Sequence, residues 1–251
     1  MLNLSANLGS AIMNSNGATG GSSGASGVSG GGGAPAFPWK EHALSEICVA
    51  TSDVGDAVTC ILHTILFTRA PGPVRPSEAT CHAFPNITYS LCAVGDVSRK
   101  VEHAVHTFEE SIMATAAMGP PTPYGQLQGG SGYYHQHHGG SAAGCLVVTF
   151  FERKVKKALF GLMSNEEKVL FEKWVIPVTV VAPTSAYDKE SLAADTESSL
   201  QNTLLHVLSA VQTIDHIPNA MYDFEITSFG SMEAMQNDGA YVLGLQSSVR
   251  V

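Results

Sequence analysis

Residues 145–181 read CLVVTFFERKVKKALFGLMSNEEKVLFEKWVIPVTVV. The stretch opens on Cys145–Phe151, a nearly continuous β-branched and aromatic run, and closes on Phe171–Val181. In the second run Trp174, Ile176, Val178 and Val180 fall on one side at period two, and Val175, Pro177, Thr179 and Val181 on the other. Both runs predict strands. Pro177 has no amide to donate, which places it toward an edge or at a position where no ladder bond is made. Between the strands, residues 152–170 predict a long hairpin arm. Arg153, Lys154, Lys156 and Lys157 put four of the chain's 13 basic residues within five positions, and the apolar, turn-containing Ala158–Met163 follows at once. A basic stalk with an apolar tip fits docking on an acidic protein or a membrane surface. The plainer reading is a solvated hairpin whose Leu159 and Phe160 fold back onto the core.

Working outward, three helices are predicted. Asp53 stands as an N-cap with Asp56 in the first turn, and Val54, Val58, Ile61, Leu62, Ile65 and Leu66 follow at helical spacing. Pro71-Gly72-Pro73 ends that helix. Asp96 caps a second helix with a narrower face of Val97, Val101, Val105, Phe108 and Ile112. The third runs from about Asp195 to Ile214, with Leu200, Leu204, Val207, Leu208, Val211 and Ile214 on its face. Short strands are predicted at Glu46–Thr51, Phe84–Leu91 and Tyr222–Thr227. The order β-α-β-α-β-β-α-β predicts an α+β architecture, with three helices packed on one face of a mainly antiparallel sheet.

The charges are unevenly spread along the 251 residues. None of the 13 basic or 22 acidic residues lies in Met1–Trp39 or in Gly119–Gly144, and these two tracts hold 18 of the 25 glycines. Such runs have little apolar surface to offset the entropy of ordering, so 1–39 is expected to be a disordered Gly/Ser-rich extension and 119–144 a disordered insertion. The domain proper is expected at 40–230, and 231–251 is a tail without clear pattern. A net charge of −9 argues against general nucleic-acid binding. The most membrane-like run, Ala57–Phe67, falls short of the about 20 residues a bilayer span needs. No basic region precedes the weakly apolar start, so no secretory signal is expected. Cys48, Cys60, Cys81, Cys92 and Cys145 form no C-x-x-C pair and read as reduced cytosolic thiols.

Local catalytic motifs are missing. The chain has no nucleophile elbow, phosphate-binding loop, H-E-x-x-H or dinucleotide fingerprint, so neither a catalytic residue nor a cofactor is expected. His135, His137 and His138 are the densest imidazole group, but they sit in glycine-rich sequence that supplies no fixed geometry, so no metal site is expected there. His63 and His206 fall within helices and read as core or flank histidines.

Several segments resemble one family in order along the chain. Cys60-Ile61-Leu62-His63-Thr64-Ile65-Leu66-Phe67 with Arg69 and Val74-Arg75-Pro76 resembles the first helix and following loop of the autophagy-related protein 101 family. Val148-Thr149-Phe150-Phe151-Glu152 resembles the strand that enters that family's exposed finger, and Phe171-Glu172-Lys173-Trp174 its aromatic-Glu-x-Trp strand start. His216-Ile217-Pro218 and Phe224-Glu225-Ile226 match its C-terminal segment. The resemblance implies a HORMA-like fold with a protruding hairpin finger and a non-enzymatic, cytoplasmic adaptor recruited to the phagophore assembly site. It implies pairing with the HORMA domain of autophagy-related protein 13, within the kinase complex that starts autophagosome formation. It also implies recruitment of downstream autophagy factors by the finger. That family's finger presents Trp and Phe at its tip; here Phe160 matches the Phe, and Leu159, smaller and without an indole donor, stands in the Trp position. The alternative is another HORMA adaptor, of checkpoint or meiotic type, that captures a partner peptide by β-augmentation. A third reading is an enzyme or metal protein using His135, His137 and His138.

Overall fold

The computed structural model describes residues 39–70, 74–93, 95–118, 141–157, 164–214 and 222–238. In chain order the elements are β1 (Lys40–Ala43), β2 (Ile47–Ala50), α1 (Val54–Thr68), β3 (Glu78–Thr80), β4 (Thr88–Ser90), α2 (Val97–Met118), β5 (Ser141–Lys157), β6 (Ser164–Val181), α3 (Ala186–Gln212), β7 (Tyr222–Phe229) and α4 (Met232–Asn237). The N-terminal tract through residue 38, residues 119–140 with the His135 group, Leu159, Phe160, the His216-Ile217-Pro218 segment and the tail from 239 lie outside the described residues.

The expected α+β architecture is present, with a mixed sheet. β6 pairs antiparallel with β5, and β5 antiparallel with β7. On its other side β6 pairs in parallel with β1 and then with β2, placed one after the other along its length. This arrangement explains Pro177. The carbonyls of Val175 and Val181 accept bonds from Leu44 and Thr51, so the odd-numbered residues of β6 face the β1–β2 side. β1 ends opposite Val175 and β2 begins opposite Val178. Pro177 therefore sits inside a central strand where the partner is changing, and its missing donor leaves no ladder bond unmade.

The alternation read from β5 and β6 sorts the two faces of the sheet. Leu146, Val148, Phe150, Trp174, Ile176, Val178 and Val180 join the core formed with the three long helices. Cys145, Val147 and Val175 lie on the opposite face with Phe229 and with Met232 and Met235 of α4. α1 is buried nearly all round from Val54 to Leu66, as suits a helix that contacts both α2 and α3. The narrower stripe of α2 is Val97, Val101, Val105, Phe108 and Ile112, all buried.

Several local readings need correction. β1 was absent from the expectation, because the polar, largely exposed Lys40–Ala43 carries no period-two signal. The strand expected over Phe84–Leu91 is only Thr88–Ser90: Pro85-Asn86 forms a turn closed by the Ile87 amide donating to the Phe84 carbonyl at 2.9 Å, and Phe84 and Ile87 are buried as plugs. α3 starts at Ala186 instead of about Asp195, because the Ser185 side chain accepts from the Asp188 amide at 3.1 Å and caps the extra turns. β5 begins at Ser141, inside the glycine-rich tract. There Gly144 meets a close approach: a Cβ would lie 2.6 Å from the Phe229 carbonyl oxygen and 2.7 Å from Ile112 Cδ1. Asp53 occupies the N-cap position of α1 without a side-chain capping bond, and accepts instead from the Ser52 hydroxyl.

Candidate functional site

The hairpin arm follows from where its neighbours stop. β7 pairs with β5 as far as Glu152, opposite Tyr222, and β1 reaches β6 only at Glu172, opposite Lys40. Beyond those limits the five register pairs from Arg153–Lys168 to Lys157–Ser164 have no further strand beside them. At about 3.3 Å per residue they extend roughly 16 Å past the sheet. A register shift between Phe150 and Phe151 marks the base, where a bulge bends and twists the pair. Phe171, the extra residue there, is buried with its ring centroid 6.3 Å from that of Phe150.

Ion pairs brace this base. Arg153 Nη2 donates to Asp223 Oδ2 at 3.0 Å, and Lys100 Nζ lies 3.8 Å from the same carboxylate. Burial pushes the Asp223 carboxyl up, but Arg153, the Phe224 amide and Lys100 outweigh it and hold it below the usual value. Lys168 Nζ donates to Glu225 Oε1 at 2.8 Å and lies 5.8 Å from the centre of the Phe151 ring, while Lys100 sits 4.6 Å over Phe224. Lys154 pairs with Glu152 at 3.4 Å. Such half-exposed pairs are each worth about 0.2–1 kcal/mol. Arg153 is thus a brace to β7, whereas Lys156 and Lys157 continue the β5 backbone toward the tip.

Residues from two of the segments quoted for the family resemblance meet in a buried clasp. Arg69, just past α1, donates from Nε to Glu172 Oε1 at 2.9 Å and from Nη2 to Oε2 at 2.7 Å. The Trp174 indole donates to Glu172 Oε1 at 2.7 Å. All three side chains are buried. Flanking them, Lys40 Nζ donates to the Thr213 carbonyl at the end of α3, and Lys173 pairs with Glu41 at 3.2 Å. The clasp locks α1 to the strand that becomes the arm. Nothing local in the sequence marks this pairing across 103 residues.

The His42 ring stacks on Trp174 with centroids 4.2 Å apart. Burial, then the charges of Lys40, Arg69 and His206, push His42 down to about 4 from 6.5. Burial also lowers His63, against the opposing charge of Glu102. The unfolded chain therefore binds more protons than the native one below about pH 6.5, and stability falls as the pH drops from there toward 4. His42→Phe keeps the stacking and removes this contribution. Its melting temperature should fall less steeply between pH 7 and 5 than that of the wild type; equal slopes would show that His42 titrates as a free imidazole.

The two helix histidines follow the expectation for core and flank positions. His63 is buried and its Nδ1 accepts from the Cys92 amide at 3.3 Å, whereas His206 is exposed. Among the described residues no cluster of His, Cys, Asp or Glu is placed to hold a metal.

α3 carries a surface that the sequence reading missed. Its buried stripe is Thr196, Leu200, Thr203 and Val207. Leu208, expected on the inner face, is 45% exposed, beside Leu205 at 63%, and Tyr187 of the first turn is 80% exposed. Leu205 and Leu208 lie one turn apart, outside a stripe already completed by the two threonines, and that surplus was the available signal.

The chain matches the family model described as Autophagy-related protein 101 over residues 46–223. The Autophagy-related protein 101 of Arabidopsis thaliana is 26% identical over 208 residues, covering 73% of this chain and 84% of that protein. The matched span includes α1 with Arg69, the whole arm, and Glu172 with Trp174. On that extent of match, the chain belongs to the autophagy-related protein 101 family.

Proposed function

We propose that this autophagy-related protein is a non-catalytic adaptor that pairs with the HORMA domain of autophagy-related protein 13 and supports the autophagy-initiation kinase complex. Its domain is HORMA-like and spans 40–230, with the glycine-rich 119–144 as an insertion within it and 1–39 as an extension before it. The observation that carries the reading is the arm: five strand pairs extended beyond the sheet and braced at their base by Arg153 and Lys168. Leu159 and Phe160, between the two strands of the arm, recruit downstream autophagy factors, and the stalk of Arg153, Lys154, Lys156 and Lys157 adds positive charge. The partner HORMA domain docks on the outer face of α3 through Leu205 and Leu208, large apolar side chains left in water. No helix among the described residues is long and apolar enough to cross a membrane. The protein works in the cytoplasm and reaches the phagophore assembly site through its partners.

The test is the double variant Leu159→Ala/Phe160→Ala. If the tip is exposed, truncation leaves no cavity and changes stability by no more than about 0.5 kcal/mol. The expected result is a wild-type melting curve and normal pairing with the HORMA partner, combined with failure to recruit downstream factors in cells. A loss of roughly 2–5 kcal/mol would mean that the pair packs inward. Normal recruitment by the folded variant would remove the finger from the mechanism.

A further inference from the structure

Where β2, the end of β6 and the first turns of α3 meet, the fold leaves an open cavity of about 300 Å³. Val181, Pro183 and Leu192 give it apolar walls, and Cys48, Thr179 and Asp188 line it as well. None of the surfaces described above uses it. At 1.5 Å per residue, Asp188 lies roughly 25 Å along α3 from Leu205, so the cavity is separate from the face assigned to the HORMA partner.

The charge around the cavity is of one sign. Asp188 accepts from the Thr184 hydroxyl at 3.0 Å. Glu46 accepts from the hydroxyl of Thr179. Asp195 adjoins Thr196, whose hydroxyl donates to the Cys48 carbonyl at 2.8 Å. Burial, then the charges of Glu46 and Asp195, raise the Cys48 thiol, as a negative field requires. No Lys, Arg or His is among the described residues that line the cavity, and Lys189, in the first turn of α3, is exposed outside it. The α3 N-terminus carries roughly half a positive charge, but Ser185 caps it and Asp188 lies in its first turn. Three carboxylates outweigh that dipole.

We propose that this cavity receives an arginine side chain from an extended basic segment of a partner protein. Apolar walls with carboxylates around them complement a side chain that has an aliphatic stem and a cationic end. Arginine suits the site better than lysine, because its planar fork engages two oxygens at once and is more weakly hydrated. A carboxylate offers about four acceptor sites, so Asp188 and Glu46 can keep their hydroxyl bonds while taking the guanidinium. The volume stands at the low end of the roughly 300–1,000 Å³ of small-molecule sites, which fits one side chain better than a cofactor. Glu190 and Glu197 extend the negative charge of α3 beyond the cavity, which favours a segment with several basic residues over a lone cation. The net charge of −9 steers such a segment toward the chain.

Cys48 is an exposed thiol in the cavity wall and therefore reports its occupancy. The probe is the peptide acetyl-Ala-Leu-Arg-Leu-Arg-amide. Its controls are the same peptide with citrulline for arginine, which keeps the shape and loses the charge, and free arginine. Full-length protein is treated with iodoacetamide under native conditions at about 0.15 M salt, and Cys48 alkylation is followed by mass spectrometry. The arginine peptide should protect Cys48, and the citrulline peptide and free arginine at the same concentration should not. Glu46→Gln/Asp188→Asn keeps both hydroxyl acceptors and removes both charges; it should melt like the wild type and bind the peptide about tenfold more weakly or worse. Should that variant fold poorly, the arginine and citrulline peptides on the wild type decide alone. No protection at millimolar peptide, equal protection by the citrulline peptide, or undiminished binding to the folded variant would overturn the proposal. Free arginine protecting as well as the peptide would overturn it too, by making the cavity a small-cation site.

Discussion

Arg69→Ala should destabilise the protein by roughly 3–5 kcal/mol, a large share of the 5–15 kcal/mol that holds a domain folded. The guanidinium makes two bonds to a Glu172 side chain that is 2% exposed. Removing it leaves the carboxylate buried with the Trp174 indole as its remaining side-chain donor, which is too little to offset desolvation. The paired change Arg69→Met/Glu172→Leu should cost much less, because it removes both charges and fills the space. Urea denaturation of the two variants measures the difference. A loss below about 1 kcal/mol for Arg69→Ala would show that the clasp is not a stabilising contact.

Leu62→Asp should not accumulate as a folded protein. Leu62 is fully buried on α1, between Ile61 and His63, which are also buried. An isolated carboxylate there costs several kcal/mol after relaxation, or must take up a proton, and the lost apolar packing adds to that cost. Together these approach the whole stability of a domain. Leu66→Asp should behave similarly, since Leu66 is 2% exposed. Soluble expression and a cooperative melt of either variant would show that this side of α1 does not pack as described.

What could be read from the sequence were elements whose burial is periodic. Val97, Val101, Val105, Phe108 and Ile112 marked α2, and the alternation through Trp174, Ile176, Val178 and Val180 marked the central strand, because one side of each element is apolar over several turns or pleats. β1 left no such mark: three of its four residues are polar, and the strand exists because β6 offers a parallel edge. Gly144 misled through composition, since its glycine serves close packing against Phe229 and Ile112 and not chain freedom. For the site, the arm was legible from two strong strands around a basic run. The Arg69–Glu172 bond was not, because partners so distant in sequence meet only through topology. Leu208 was assigned inward because the third helix was expected to bury leucines; Thr196 and Thr203 take those places, and the Thr196 hydroxyl donates to the Cys48 carbonyl at 2.8 Å.

An adaptor without catalytic groups acts by contact, and a stable partner interface of the obligate kind buries about 2,000 Å² or more. α3 offers the exposed apolar side chains from which such an interface is built. Size-exclusion chromatography of the full chain with the HORMA domain of autophagy-related protein 13 tests the adaptor reading most directly. The prediction is a stable complex at micromolar concentration that is lost in Leu205→Asp/Leu208→Asp while that variant melts like the wild type; separate elution of the two wild-type proteins would contradict it.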